Sequence, residues 1–436
     1  MTMTEQVTEP ATRAQPTPAA DPSARNTVVL VSFTAVTNLA DGVTKIALPL
    51  LATRLTSSPA AVAAVSLTLT LPWLLTALHV GVLVDRVDRR RLLWLANALR
   101  LLVLGGLLGA YAADAVTLPL LYAGGAVLGV AEVIALTSAM ALTPAAVGPR
   151  WRERANAWVT GAETVCNEFC GPFVGGLLVS IGTAAALGTT AVGYAVSTVI
   201  LVLLVGTFRV RRAEQPERVQ DKQSVSAQIR DGLRYLWRER LLRLMALVLT
   251  VLCLCWGAWL AIMPLMATSV MRLSPGEYGV VLSALGIGGL VGAVTVTSVN
   301  RLIGRRWALF ADLVGTLAMV AAPALTTNAW LIAVGAFLGG MGGTLWAVNA
   351  RTIAQYLVPA ELMGRYSAVA RLFSWGAMPI GAGLVGVLAE WFGIQTAFLF
   401  FAIAVVAIVI PFLRTVTPEV MDRVERAKRR QLAETD

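Results

Sequence analysis

Thr34, Asn38, Asp41 and Lys45 follow one another at spacings of four, three and four residues inside an apolar stretch, so on a helix they form one polar stripe. Ionisable side chains in such a stretch cost roughly 2.5–3.5 kcal/mol each on insertion scales unless they face protein or water. Ion pairing, proton binding and contact with a polar solute are the chemistry open to them. Asp41 precedes Lys45 by one turn, the favourable order for a pair within a helix, and its place near the middle of the stretch suits a group that gains and loses a proton. Glu132 is the lone charge of another apolar stretch, and Arg100 of a third is the expected partner. Glu163 and Asn167 stand one turn apart, with Glu168 about 100° around the wheel from Asn167. Glu163 lies close to a helix start, where a solvated or ion-paired structural role is expected. Arg371 calls for an acidic partner across the bundle. Trp256, Trp259, Met263 and Trp346 are candidates for lining an apolar cavity.

Other chemistries lack their residues. His79 is the only histidine, and Cys166, Cys170, Cys253 and Cys255 fall in apolar stretches where they read as packed small residues. No Gly-Lys-Ser/Thr phosphate loop occurs. Neither an enzyme, a metal site nor a cofactor is expected.

The elements that must position these residues are membrane helices. Hydrophobic residues make up 57% of the 436-residue chain and charged residues 14%, against about 25% charged in soluble domains. A membrane-spanning helix needs roughly 20 mostly apolar residues, and stretches of that kind fall at 27–52, 60–83, 92–113, 117–142, 157–180, 184–208, 243–268, 277–299, 306–325, 329–350, 364–388 and 393–414. The expectation is an all-α membrane protein with twelve transmembrane helices. Residues 1–26 are polar and Pro-rich, and read as a disordered tail. The segment 209–242 divides six spans from six; from Ser224 to Arg240 it carries Val225, Ile229, Leu233 and Leu236 at helical spacing among arginines, the pattern of an amphipathic helix on a membrane surface. A half at 27–208, that linker, a half at 243–414 and a basic tail at 415–436 complete the organisation.

The formal charge of +10 follows topology. Arg86, Arg89, Arg90, Arg91, Arg150, Arg152, Arg154, Arg301, Arg305, Arg306, the linker and the tail all fall on one side, while the alternate loops hold Arg54 and Arg272. Basic residues accumulate in cytoplasmic loops, so both termini are expected in the cytoplasm. The excess charge then meets anionic lipid, and no nucleic-acid partner is expected.

A block of mixed charge at 81–93 joins the second and third spans. Gly81, Leu83, Asp85, Arg86, Arg89 and Arg90 resemble the loop pattern Gly-x-Leu-x-Asp-Arg-x-Gly-Arg-Arg/Lys of major facilitator superfamily transporters, with Asp88 in place of the second glycine. That replacement, the Gly-Leu-Arg-Tyr-Leu-Trp run of the linker, and Gln355, Pro359, Glu361, Gly364 and Arg365 resemble the branch containing macrolide and siderophore exporters. Gly171, Pro172, Gly175 and Gly176 resemble the end of the antiporter motif of drug exporters, although Asn167 stands where a glycine of that motif is expected. A weak echo pairs Asp85-Arg86 and Arg89-Arg90 with Asn300-Arg301 and Arg305-Arg306, as expected of two six-helix halves related by an axis along the membrane normal.

The resemblance implies the major facilitator fold in a bacterial inner membrane. It implies a monomeric exporter of an amphiphilic small molecule by proton antiport, whether a drug such as a macrolide or a dedicated siderophore or natural product. An uptake carrier is a further alternative. Asp85 is expected to latch onto a helix N-terminus of the other half, with Arg86 and Arg89 or Arg90 pairing nearby. Family exporters often carry an Arg before a Gln-Gly pair in the fourth helix; the region before Glu132 lacks it, which leaves Asp41, Glu132 and Arg100 for coupling.

Overall fold

The computed structural model describes residues 23–205 and 225–435. The N-terminal tail as far as residue 22 and the linker at 206–224 lie outside the described residues. Fifteen α-helices and two π-helical turns, without strands, make up the described residues. In the first half these are α1 (Ser23–Ala52), α2 (Pro59–Arg86), α3 (Arg89–Ala112), α4 (Leu118–Ala146), α5 (Pro149–Thr164), α6 (Gly171–Ile181) and α7 (Thr183–Val202). A π-helical turn, Val165–Cys170, joins α5 to α6 into one crossing. After α8 (Val225–Arg238) come α9 (Arg240–Leu265), α10 (Pro275–Leu325), α11 (Ala329–Leu357), α12 (Ala360–Ser374), α13 (Ala377–Phe392), α14 (Ile394–Thr415) and α15 (Pro418–Thr435).

Eleven continuous stretches are long and apolar enough to cross a membrane, and they make twelve crossings. The 51 residues of α10 would span about 76 Å at 1.5 Å per residue, more than twice a hydrocarbon core of about 30 Å. Gly304 breaks that helix with φ 77° and ψ 160°, a left-handed backbone that glycine adopts without strain. The expected loop between the eighth and ninth crossings is thus a single-residue turn.

Polar caps set the helix starts. Ser58 accepts from the Ala61 amide ahead of Pro59, and Ser274 and Glu277 form a reciprocal capping box. Asp88 accepts from the amides of Arg90 and Arg91 at 2.9 and 3.4 Å. It therefore replaces the family glycine for a reason that can be seen: it is the N-cap of α3.

The two halves meet through α2 with α13 and α6 with the first part of α10. These contacts concentrate at the end away from the chain termini, the far end. There Gly176 packs on Gly279, Gly386 faces Ala60 and Ala63, and Glu390 accepts from Ser58 Oγ at 2.8 Å and the Ala60 amide at 3.2 Å. Glu390 of one half thereby caps the first turn of a helix in the other. Midway along, Trp73 and Trp375 approach with ring centroids 5.7 Å apart. Toward the termini, the Arg371 guanidinium nitrogens lie 3.6 Å from the Met140 sulfur.

The amphipathic linker helix is docked against protein. Asp231 pairs with Arg365 at 3.2 Å, Tyr235 donates to the Leu357 carbonyl at 2.8 Å, and Leu236 is buried with Val369. Of the apolar stripe expected to face lipid, Leu236 thus covers α12 while Leu233 is exposed, and the side chains of Val225 and Ile229 lie outside the described residues.

Candidate functional site

The polar residues of α1 are held in register by tight helix contact. A Cβ on Gly171 would stand 2.6 Å from the Gly42 Cα, so both positions require glycine for α1 and the fifth crossing to touch. Pro172 and Gly175 are buried beside them. The π-helical turn before Gly171 brings Asn167 toward α1, and such turns recur where a side chain must be aimed at a functional site.

Two ion pairs result, the first buried and the second with a half-buried lysine. Asp41 Oδ2 accepts from Arg100 Nη2 of α3 at 2.6 Å, and Asp41 Oδ1 accepts from the Tyr194 hydroxyl of α7 at 2.7 Å. Arg100 is fully buried; its Nη1 donates to Asn97 Oδ1 at 3.2 Å, and its guanidinium lies 4.8 Å from the Tyr194 ring centroid. Asn97 in turn donates to Ser197 and Thr198 at 2.9 and 3.0 Å. In the second pair Lys45 Nζ donates to Glu132 Oε1 at 2.8 Å and to Asn167 Oδ1 at 3.1 Å. Asn167 Nδ2 reaches Asn38 Oδ1 at 3.0 Å and Glu132 Oε1 at 3.5 Å. Asn38 donates to the Thr34 carbonyl at 2.9 Å.

The partners differ from those expected. Asp41 and Lys45 do not pair within α1, and Arg100 serves Asp41 rather than Glu132. The exchange has a steric cause: the short Asp41 side chain meets the guanidinium arriving from α3, while the longer Lys45 crosses to α4 and the π-helical turn. Each buried charge gains an opposite charge and further hydrogen bonds, the condition under which burial is tolerated.

A narrow cleft opens beside this network. Phe33, Leu136, Met140 and Val159 supply its apolar wall, and Asn38, Asp41 and Glu163 its polar one. Glu163 forms no ion pair among the described residues, and the contact that Arg371 makes across the bundle is with the Met140 sulfur. Of the second-half residues expected to line a cavity, Trp259 and Met263 are fully buried and Trp346 is 2% exposed, in the apolar core. Trp256 is half-buried against Gly343. Indole rings fill bundle interiors as readily as they line cavities.

In the loop after α2, Arg90 Nη2 donates to the Val202 carbonyl at 3.3 Å, a contact within its own half. Gly81, Asp85 and Arg86 end α2, and Arg89 begins α3. No ion pair joins Arg86, Arg89 or Arg90 to an acidic group among the described residues. The side chain of Asp85, and with it the expected latch, lies outside the described residues, as do those of Glu168, Glu361 and Gly364.

Tyr194, Asn97 and Asp312 were not singled out from the sequence. Tyr194 was signalled by a phenol in an apolar span, and Asp312 by a carboxylate in the ninth.

Comparison with known proteins decides the family. The profile of the transmembrane secretion effectors, a branch of the major facilitator superfamily, matches residues 22–435. The chain belongs to that family. It is a multi-pass membrane transporter, not an enzyme. It is 29% identical over 408 residues to the multidrug efflux pump Tap of Mycolicibacterium fortuitum, an alignment covering 89% of this chain and 97% of that one. It is 28% identical over 413 residues to Tap of Mycobacterium tuberculosis strain H37Rv, covering 90% and 95%. Among solved structures it is similar to the nucleoside transporter NupG (TM-score 0.63, 14% identity, 89% of this chain and 98% of that one). It is also similar to a bacterial homologue of the iron transporter ferroportin in an inward-facing state (TM-score 0.62, 18% identity, 88% and 98%). These two likenesses concern the fold alone.

Proposed function

We propose that the chain exports amphiphilic small molecules from the cytoplasm by alternating access, driven by inward proton flow. One observation carries this proposal: two ion pairs within the bundle, Arg100–Asp41 and Lys45–Glu132, stand beside a cleft whose other wall is apolar. The relatives named as multidrug efflux pumps, aligned along nearly the whole chain, support the outward direction.

The mechanism follows from charge balance. A proton delivered to Asp41 neutralises the carboxylate and leaves the buried Arg100 without its counter-charge, and one delivered to Glu132 removes its pairing with Lys45. An uncompensated buried charge is costly, so protonation disfavours this arrangement of α1, α3 and α4 and favours one in which the cation meets water. An amphiphilic solute in the cleft lays its apolar body on Phe33, Leu136 and Met140 and its polar or cationic part toward Asp41 and Glu163. Solute and proton thus act on the same carboxylates. Coupling of the two follows from their differential effect on two conformations.

The side of the membrane follows from the basic loops. With both termini cytoplasmic, the far-end seam of Gly176, Gly279 and Glu390 faces outward, and solute enters from the opposite side. The halves 27–208 and 243–414 are the two bodies that rock, with the linker at 209–242 between them. The chain works as a monomer in the plasma membrane.

Growth inhibition by a panel of macrolides, lipophilic cations and siderophores tests the proposal in an efflux-deficient bacterium. The wild type is expected to protect against several members of different structure, and Asp41→Asn at matched membrane abundance to protect against none. Protection restricted to siderophores favours a dedicated exporter. Equal protection by both proteins removes Asp41 from the mechanism.

A further inference from the structure

The second half contains a carboxylate with no place in the network described. Asp312 lies in α10 eight residues beyond the break at Gly304, about 12 Å along the helix, and is 2% exposed. Its hydrogen-bond partner is Thr316, whose hydroxyl stands 3.2 Å from Oδ1. Asp41 and Glu132 each meet a cation within 2.8 Å; among the described residues Asp312 forms no ion pair.

Among the described residues, the helices packed around it bring no cation into an ion pair with it. From α11 it faces Gly342, where an added Cβ would stand 2.9 Å from Asp312 Oδ1; the basic residue of that helix, Arg351, is exposed nine residues on. From α9 it faces Cys255, a fully buried thiol. Between Ile394 and Arg414, α14 carries no ionisable residue. On its own helix Arg305 lies seven residues back and pairs with Glu425 of α15 at 3.5 Å. An ionised carboxylate here has one neutral donor to offset the loss of water, and in such surroundings a buried group takes up its proton instead.

The surroundings are shaped to a carboxyl group. The backbone of α11 closes on it at a glycine, and Thr316 is placed one turn away to donate or accept as the proton state requires.

We propose that Asp312 is a second proton-binding residue of the transport cycle, carried by the C-terminal half and holding its proton in the conformation described here. It rests on the proton-driven reading above, and extends it from one half to both. In the first half Asp41 and Glu132 are each paired with a cation. In the second the carboxyl is neutral, and it releases its proton when the halves rearrange and water reaches α10. The two halves then carry protonatable groups in opposite states at the same stage.

Infrared spectroscopy of the full chain in lipid nanodiscs decides the protonation state without any substrate. At neutral pH the wild-type spectrum minus that of Asp312→Asn is expected to contain the carbonyl stretch of a protonated carboxylic acid, shifted in Thr316→Val. Absence of that band means an ionised Asp312 and overturns the proposal. Proton-driven ethidium export by everted vesicles decides the role in the cycle. Asp312→Asn, which keeps size and polarity, is expected to fall to the level of vesicles lacking the protein while binding ethidium as the wild type does, and Asp312→Glu to retain part of the activity. Export by Asp312→Asn at the wild-type rate would make Asp312 a static neutral acid and overturn the proposal. If the wild type itself shows no proton-driven export, the reading under Proposed function fails and the cycle role fails with it; the infrared band still determines whether Asp312 holds a proton.

Discussion

Replacing Arg100 with leucine is expected to lower the stability of the folded chain by about 3–5 kcal/mol, the loss typical of removing one partner from a buried pair. The guanidinium is fully buried and joins three helices through Asp41, Asn97 and Tyr194. Without it, Asp41 keeps the Tyr194 hydroxyl and loses the cation that pairs with it. Thermal unfolding of the purified protein reads the effect directly. Adding Asp41→Asn to Arg100→Leu should recover most of the lost stability, because the orphaned charge goes with it. Export should not return, because the protonatable group is gone. A single Arg100→Leu variant as stable as the wild type would contradict the assignment of the pair as the organising contact of the first half.

A leucine at Gly279 is expected to act on the conformational balance. A Cβ there would stand 3.0 Å from the Gly176 carbonyl carbon, and on both sides the obstacle is backbone, which cannot rotate away. Overpacking of this kind costs about 1–3 kcal/mol, which corresponds to a shift of about 5- to 150-fold between two conformations. The shift is toward the state in which the far end has parted. A cysteine placed at Ala60, which faces Gly386 across the seam, reports it by its labelling rate with a membrane-impermeant thiol reagent. Faster labelling in Gly279→Leu is expected; an unchanged rate would mean that this contact does not hold the far end shut.

Much of this architecture is legible in the chain before any coordinates. The apolar stretches, the charge block at 81–93 and the glycines after Asn167 mark the crossings and the family, because a bilayer allows few ways to satisfy a backbone. The same cost of burial marks Asp41, Lys45, Arg100 and Glu132 as residues retained for a purpose. Which charge meets which is not legible. Spacing along α1 favours Asp41 with Lys45, but pairing is decided by helices that cross, and by the length of each side chain at the crossing. Asn167 departs from the antiporter pattern because it bridges Lys45 and Asn38, a role that exists only once α1 and the fifth crossing touch at Gly42 and Gly171. Trp259 and Trp346 read equally well as wall or filling, since composition does not say which face of a helix meets a void. Asp312 was visible as the one acidic residue of the ninth crossing, and its meaning came from the lack of an ion pair to it among the described residues.

The central claim is that proton binding on the first-half carboxylates drives solute outward. Everted vesicles carrying the protein, energised by respiration and reporting their pH gradient through a fluorescent amine, test it most directly. Addition of a compound to which the chain confers resistance is expected to dissipate part of the gradient in wild-type vesicles and none of it in vesicles carrying Asp41→Asn or Glu132→Gln. Movement of the compound with the gradient undisturbed, or the same dissipation in both variants as in the wild type, would contradict the account.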